Sequence, residues 1–157
     1  MLTPESLTKI DREVAKYPAD QKRSAVMAAL RIAQVEKGWL APETIKFVAE
    51  YLEMAPVAAY EVATFYNMYD TQPVGRHKIT VCTNLPCALS GGAAAGDYLK
   101  QKLGIGFNET TADGLFTLKE GECMGACGDA PVMLHNNHTM CSHMSNAAID
   151  KLLSELK

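Results

Sequence analysis

The spacing of apolar residues changes once along the chain. Up to about residue 70, apolar side chains recur every three or four positions, as on the buried face of a helix. Thr3 can cap a first helix that has Pro4 in its first turn, and Gly38 can end a second helix that starts near residue 20. Two further helices are predicted to open at prolines, Pro42 and Pro56. The N-terminal part is therefore predicted to be a helical bundle.

Beyond the stretch TQPVGRHK, the pattern becomes that of a mixed α/β unit. Pro73 and Gly75 within this stretch indicate a boundary. Short apolar runs then predict strands and two longer segments predict helices: HKITVC, GLFTLK, APVMLH and HTMCSH for strands, LSGGAAAGDYLKQKLG and SNAAIDKLLSELK for helices. The order β-α-β-β-β-α suits a small α/β sandwich better than a barrel. We therefore predict an α+β protein with a helical N-terminal domain, residues 1–72, followed by an α/β domain, residues 73–157.

Charge and composition narrow the classes of function. The chain has 157 residues and a formal net charge of −3. Nucleic acid is not an expected partner, because phosphate binding needs a basic surface. No apolar run has the length of a membrane span, so no direct membrane insertion is expected. The N-terminus lacks the basic and apolar regions of a secretory signal, which leads us to expect a soluble protein in a reducing compartment.

Five cysteines fall as two pairs and a single residue. Cys82 ends the first predicted strand, and Cys87 precedes the following predicted helix. Ligands in open α/β sheets gather beyond the carboxyl ends of strands. Cys123 and Cys127 form the second pair, where nearby glycines allow backbone N–H groups to approach sulfur, as around iron–sulfur clusters. Cys141 lies on a predicted strand without a cysteine neighbour and is expected to be a buried free thiol.

Three kinds of site compete for the four paired cysteines. A structural zinc site is open, although both pairs are wider than the C-x2-C turn that zinc sites usually use. Disulfides are disfavoured in a reducing compartment, and a C-x-x-C redox motif is absent. A 2Fe–2S cluster suits two loops that each offer a pair of thiolates to one iron. The spacing therefore favours the cluster while leaving the zinc site as an alternative.

The cysteine motifs and the N-terminal helices together resemble a known family. The segments that carry the resemblance are VCTNLPCALSGG, TTADGLFTLKEGECMGACGDAPVMLHNN, GWLAPETIKFVAEYL and YEVATFYNMY. They resemble the thioredoxin-like 2Fe–2S subunit of NADH:quinone oxidoreductase, respiratory complex I, over nearly the whole chain. The resemblance implies a thioredoxin-like fold for the C-terminal domain and one 2Fe–2S cluster held by Cys82, Cys87, Cys123 and Cys127. Met124 stands where the family leads us to expect leucine, a tolerable exchange beside the cluster.

The same resemblance implies electron transfer. It predicts an oxidoreductase subunit, non-catalytic by itself, whose cluster exchanges electrons with the FMN of a partner subunit that also binds NADH. No G-x-G-x-x-G motif follows a predicted strand, so this chain shows no nucleotide site of its own. Other peripheral-arm subunits are expected as further partners, on the cytoplasmic face of the inner membrane, or on the matrix side in a mitochondrion. The alternatives are an equivalent subunit of an NAD-linked hydrogenase or formate dehydrogenase and, in another class, a zinc-stabilised interaction module.

Overall fold

The computed structural model describes residues 1–157, which divide into two compact units, Met1–Pro73 and Val74–Lys157. The predicted domain boundary lies between residues 72 and 73. That the two units fold as separate domains stays a prediction. None of the helices is both long enough and apolar enough to cross a bilayer.

Four α-helices build the N-terminal unit around an apolar core. They are α1 (Pro4–Val14), α2 (Val26–Lys37), α3 (Pro42–Tyr51) and α4 (Pro56–Phe65). The Thr3 hydroxyl accepts a hydrogen bond from the Ser6 N–H and so caps α1, as predicted. The Glu36 carboxylate in turn accepts hydrogen bonds from Thr3. Hydrogen bonds from the Ser6 side chain and from the Thr3 backbone lower the pKa of Glu36 to about 2. These contacts join the start of α1 to the end of α2.

The second helix begins later than the predicted start near residue 20. Residues Ala19–Ala25 form a 3₁₀ helix, in which Gln21 departs from helical dihedrals with φ −118° and ψ 30°. Only Ala25 of this segment is buried. Without a continuous apolar face there is little tertiary packing to hold the segment as regular α-helix, because packing of an amphipathic face supplies most helical stability. The regular helix therefore starts at Val26.

A five-stranded sheet forms the centre of the C-terminal unit, in the order β2-β3-β1-β4-β5. Central strand β1 runs parallel to β3 and antiparallel to β4. The elements are β1 (His77–Cys82), β2 (Glu109–Thr110), β3 (Phe116–Gly121), β4 (Met133–His135), β5 (Thr139–Cys141), α5 (Leu85–Leu89), α6 (Gly92–Leu103) and α7 (Asn146–Glu155), with a 3₁₀ turn at Cys127–Asp129. Helices followed by a mixed sheet confirm the predicted α+β class.

The core of this unit fixes the position of β1. Ile79 and Val81 are two positions apart on the strand and therefore lie on the same face. Both are fully buried, together with Leu99 of α6 and Ile149 of α7. Burial of both residues on one face leaves the register of β1 little freedom to slip, since a slip by one residue would turn that face outward. The end of β1, at Cys82, is therefore held by the packing of the strand behind it.

Candidate metal centre

The candidate site lies where the parallel strands β1 and β3 end. Cys82, the last residue of β1, is in register with Gly121, the last residue of β3. The pairing continues for one more bond, because the Thr83 N–H donates to the Gly121 carbonyl at 3.3 Å. Cys123 follows two residues after β3. Parallel neighbours thus deliver one cysteine of each predicted pair to the same edge of the sheet.

The first cysteine loop, Cys82–Cys87, carries two buried thiols. Cys82 is fully buried and Cys87 is 1% exposed, and both pack with Val132 in a small apolar cluster. Cys87 precedes the long helix α6, as predicted, and lies within a short helix, α5, that was not predicted. Gly92, at the start of α6, lies close beneath the loop: a Cβ at this position would be 2.6 Å from the carbonyl oxygen of Cys82.

The second cysteine loop, Cys123–Cys127, is exposed. Its two Sγ atoms lie 3.8 Å apart. Gly125 between them has φ +72°, a left-handed conformation that glycine adopts without a steric penalty. The Gly125 N–H donates to the Sγ of Cys123 at 3.4 Å. The turn thus brings both thiols together and supplies one of the N–H···S contacts expected from the glycines around this pair.

The two cysteine loops pack together, because Met124 and Ala126 of the second loop contact the apolar cluster of Cys82, Cys87 and Val132. Burial, and next the hydrogen bond with Cys82, raise the pKa of Cys87 to about 11, and Cys127 contributes as well. The pKa of Cys127 is raised foremost by its hydrogen bond with Cys123, then by burial and by Cys82. Without a metal, Cys87 and Cys127 are therefore held in the neutral thiol form near neutral pH. Binding of a metal to thiolates would release these protons.

The donor set fits an iron–sulfur cluster. All four converging side chains are thiols, the ligand type of iron–sulfur centres, and they arrive as two pairs on two loops. Two separate pairs match a binuclear cluster in which each iron takes two thiolates.

Two carboxylates at this edge have a role that the sequence did not predict. Glu120 accepts a hydrogen bond from the Thr83 hydroxyl at 2.8 Å, and Glu122 accepts one from the Asn84 side-chain amide at 2.9 Å. Both bonds run from the first cysteine loop to residues leading into the second. The sequence shows acidic residues near the second pair, but it gives no signal that they pair with residues almost 40 positions away.

Cys141 and His135 lie elsewhere in the C-terminal unit. Cys141 is a free thiol on β5, paired with Met133, and burial raises its pKa. It is partly rather than fully buried. His135 lies at the opposite end of the β1 pairing, with its Nε2 atom 3.0 Å from the Nδ1 atom of His77. Neither residue therefore joins the four paired cysteines at the edge of the sheet.

Residues 10–157 match the family described as Thioredoxin-like [2Fe-2S] ferredoxin, and the chain belongs to this family. Membership confirms the resemblance drawn from the cysteine motifs. It also confirms the thioredoxin-like fold and the 2Fe–2S cofactor that the resemblance implied. The identity of the four ligands stays a prediction, supported by the convergence of the thiols.

Curated relatives cover most of the chain. Subunit 2 of the NADH-quinone oxidoreductase of Thermus thermophilus is 38% identical over 148 residues, 94% of this chain and 82% of that protein. An NADH-quinone oxidoreductase subunit from Rickettsia bellii is 44% identical over 146 residues, 90% of this chain and 87% of that protein. Flavoprotein 2 of a mitochondrial NADH dehydrogenase (ubiquinone) from Dictyostelium discoideum is 38% identical over 99% of this chain and 63% of its own length.

A solved structure shares the fold over most of the chain. A chain of an NAD+-reducing [NiFe]-hydrogenase in the air-oxidized state superposes with a TM-score of 0.74 over 89% of this chain and 24% of that one. The two are 23% identical, so the likeness concerns the fold alone.

Proposed function

We propose that the chain is an electron-transfer subunit of an NADH:quinone oxidoreductase and holds one 2Fe–2S cluster through Cys82, Cys87, Cys123 and Cys127. The proposal is carried by the placement of the two thiol pairs on loops that follow neighbouring parallel strands and pack against each other. The names of relatives at 38–44% identity supply the oxidoreductase. When bound, the cluster supplies one-electron chemistry; the protein positions it and sets its surroundings.

The partner in this proposal is a subunit that binds FMN and NADH. Cys123 and Cys127 are exposed, so a cluster on these residues would lie at the surface of the unit. One-electron exchange with a flavin on another chain requires a cluster near the surface. It does not require a substrate pocket on this chain. By itself the chain is then a non-catalytic redox subunit. Its other neighbours are peripheral-arm subunits on the cytoplasmic face of the inner membrane, or on the matrix side in a mitochondrion.

The other two assignments have less in their favour. A place in an NAD-linked hydrogenase is supported by likeness of fold, at 23% identity, and a formate dehydrogenase has no support among these relatives. A zinc-stabilised interaction module uses the same four thiols, and metal analysis separates it from a cluster. Zinc in place of iron and acid-labile sulfide in anaerobically purified protein would refute the proposal.

The ligand set is tested by single Cys→Ser variants, purified anaerobically and analysed for iron, sulfide and visible absorption. Serine at Cys82, Cys87, Cys123 or Cys127 should lower cluster content, because a hydroxyl is a poorer ligand than thiolate for this iron. Cys141→Ser is the matched control and should keep the iron and the spectrum of the native protein. Loss of colour in that control would show that the ligand set is wrong.

The flavin partner is tested by adding NADH anaerobically to the chain alone and to its complex with the flavin-binding subunit. The EPR signal of a reduced 2Fe–2S cluster should appear only in the complex. Direct reduction by NADH in the isolated chain, at the same rate, would contradict the proposed division between the subunits.

A further inference from the structure

Backbone pairing between the two cysteine loops stops at the hydrogen bond from Thr83 to Gly121. Two side-chain hydrogen bonds add to the connection: Thr83 to Glu120 at 2.8 Å, beside the last backbone pair, and Asn84 to Glu122 at 2.9 Å, beyond it. Thr83 and Asn84 directly follow Cys82, and Glu122 directly precedes Cys123. The Asn84–Glu122 bond thus joins the first cysteine loop to the start of the second, and the Thr83–Glu120 bond ties the first loop to the end of β3.

The donors of these bonds have no other task in the local fold. Asn84 occupies the N-cap position of α5, yet its side chain makes no capping hydrogen bond. Its amide donates across the edge of the sheet to Glu122 instead. Asparagine at an N-cap usually bonds to the helix backbone, so the choice of a partner on another loop is a specific feature of this site. The Thr83 hydroxyl likewise points to the neighbouring strand rather than to its own backbone.

We propose that Glu120 and Glu122 are positioning residues that clamp the two cysteine loops at the separation that a 2Fe–2S cluster requires. The inference rests on the proposed function, because it assigns the clamp to a cluster held by these loops. In the protein without a cluster, the clamp keeps the exposed second loop beside the buried first loop. The thiols are then already close together when iron and sulfide arrive.

The clamp also places two carboxylates next to the loops that would hold the cluster. Reduction adds an electron to a centre that is already anionic with four thiolates, and nearby anions oppose that step. Apart from Lys119, which directly precedes Glu120, the sequence has no Lys or Arg between residues 83 and 99 or between residues 119 and 150. The same carboxylates therefore hold the loops together and lower the midpoint potential, and suitable variants separate the two effects.

Charge-neutral variants test the geometry. Thr83→Val with Asn84→Ala removes both donors and changes no charge. In the protein without a cluster, amide exchange in both cysteine loops should rise by about 2- to 10-fold for each hydrogen bond lost, and cluster reconstitution should slow. Unchanged exchange and reconstitution would overturn the proposal. Amides of the N-terminal unit and the far-UV CD spectrum report whether the variant is folded.

Substitutions at the acceptor give a second test that holds even if the double variant fails to fold. Glu122→Gln keeps a side-chain oxygen for Asn84 and removes the charge, so loop exchange should stay near that of the native protein while the midpoint potential rises. Glu122→Ala removes both and should raise exchange as well. Equal exchange in these two variants would overturn the clamp.

Asp129→Asn is the matched control. This carboxylate also lies beside the second pair, but its Oδ1 atom is 3.8 Å from the Nε2 atom of His143, so it faces the segment after β5 rather than the first cysteine loop. Its neutralisation should leave loop exchange unchanged; a rise equal to that of Glu122→Ala would overturn the clamp. Exchange in the protein without a cluster tests the clamp alone, whereas absence of a 2Fe–2S cluster from the native protein would refute the proposed function.

Discussion

Gly92 is the position where one added methyl group should disturb the candidate site most directly. A Cβ at Gly92 would lie 2.6 Å from the carbonyl oxygen of Cys82, 2.8 Å from that of Cys87 and 3.0 Å from the Cys87 carbonyl carbon. All three are backbone atoms of the first cysteine loop, so no flexible side chain can move aside. The loop, or the start of α6, would have to shift by about 0.8 Å to restore an ordinary contact of 3.4 Å.

The size of the effect follows from two opposing terms. Overpacking of this kind costs about 1–3 kcal/mol, and rigid backbone on the other side favours the upper part of that range. Alanine is the better helix former, by less than about 1 kcal/mol at the first residue of a helix. Gly92→Ala should therefore lower the free energy of unfolding of the C-terminal unit by about 1–2 kcal/mol. Because the shift displaces both thiol-bearing residues of this loop, cluster content should fall as well.

Gly128→Ala is the matched control, since Gly128 lies next to Cys127, has no unusual φ and leaves a Cβ with nothing within 4 Å. Denaturant unfolding without the cluster, and iron content after reconstitution, should show losses for Gly92→Ala. The control should be neutral or slightly more stable, because alanine reduces the entropy of the unfolded chain. Native stability and iron content in Gly92→Ala would refute the close approach on which the reasoning rests.

Three further predictions concern metal, pH and domain structure. Removal of the cluster should increase amide exchange more at residues 123–127 than at residues 82–87, since metal binding orders a site that lacks packing of its own; equal exchange in both forms would contradict this. Glu36→Gln should lower stability at pH 7. Because the native pKa of Glu36 lies below its ordinary value of 4.5, the stabilisation is present above pH 4.5, and the difference in urea midpoint should vanish as the pH falls through about 2. Ile149→Ala and Leu30→Ala should each lower the free energy of unfolding by about 2–5 kcal/mol. If the two units are separate domains, each variant should shift only one of two unfolding transitions; a single shared transition would show one cooperative domain.

The sequence predicted those features that depend on near neighbours. Thr3 caps α1 by accepting a hydrogen bond from the residue three positions ahead, and Gly38 ends α2 with φ +82°. Pro42 and Pro56 begin α3 and α4. Each of these signals acts within one helical turn, so the local sequence contains all the information that the structure uses.

Features that depend on strand register could not be predicted in this way. The helix α5 around Cys87 is only five residues long, too short to show a period of its own. The two-residue strand β2 exists through its pairing with β3, as Glu109 opposite Leu118 shows. Asn84 and Glu122 meet because β1 and β3 are neighbours, a fact that the cysteine spacing does not encode. Motif spacing thus indicated the candidate ligands, whereas the hydrogen bonds that support their loops depend on the arrangement of the sheet.

The two thiol pairs differ in what holds them, and this difference explains why a clamp is needed. Cys82 and Cys87 are buried, and the register of β1 fixes the first of them. Cys123 and Cys127 are exposed, with a single glycine turn between them. A cluster ties both pairs to one rigid geometry, so the less constrained loop loses more conformational freedom when the cluster forms. Hydrogen bonds from Thr83 and Asn84 to the residues leading into that loop reduce this loss before any metal binds. The clamp should therefore affect how fast the cluster assembles, and its charge should affect the midpoint potential of the cluster.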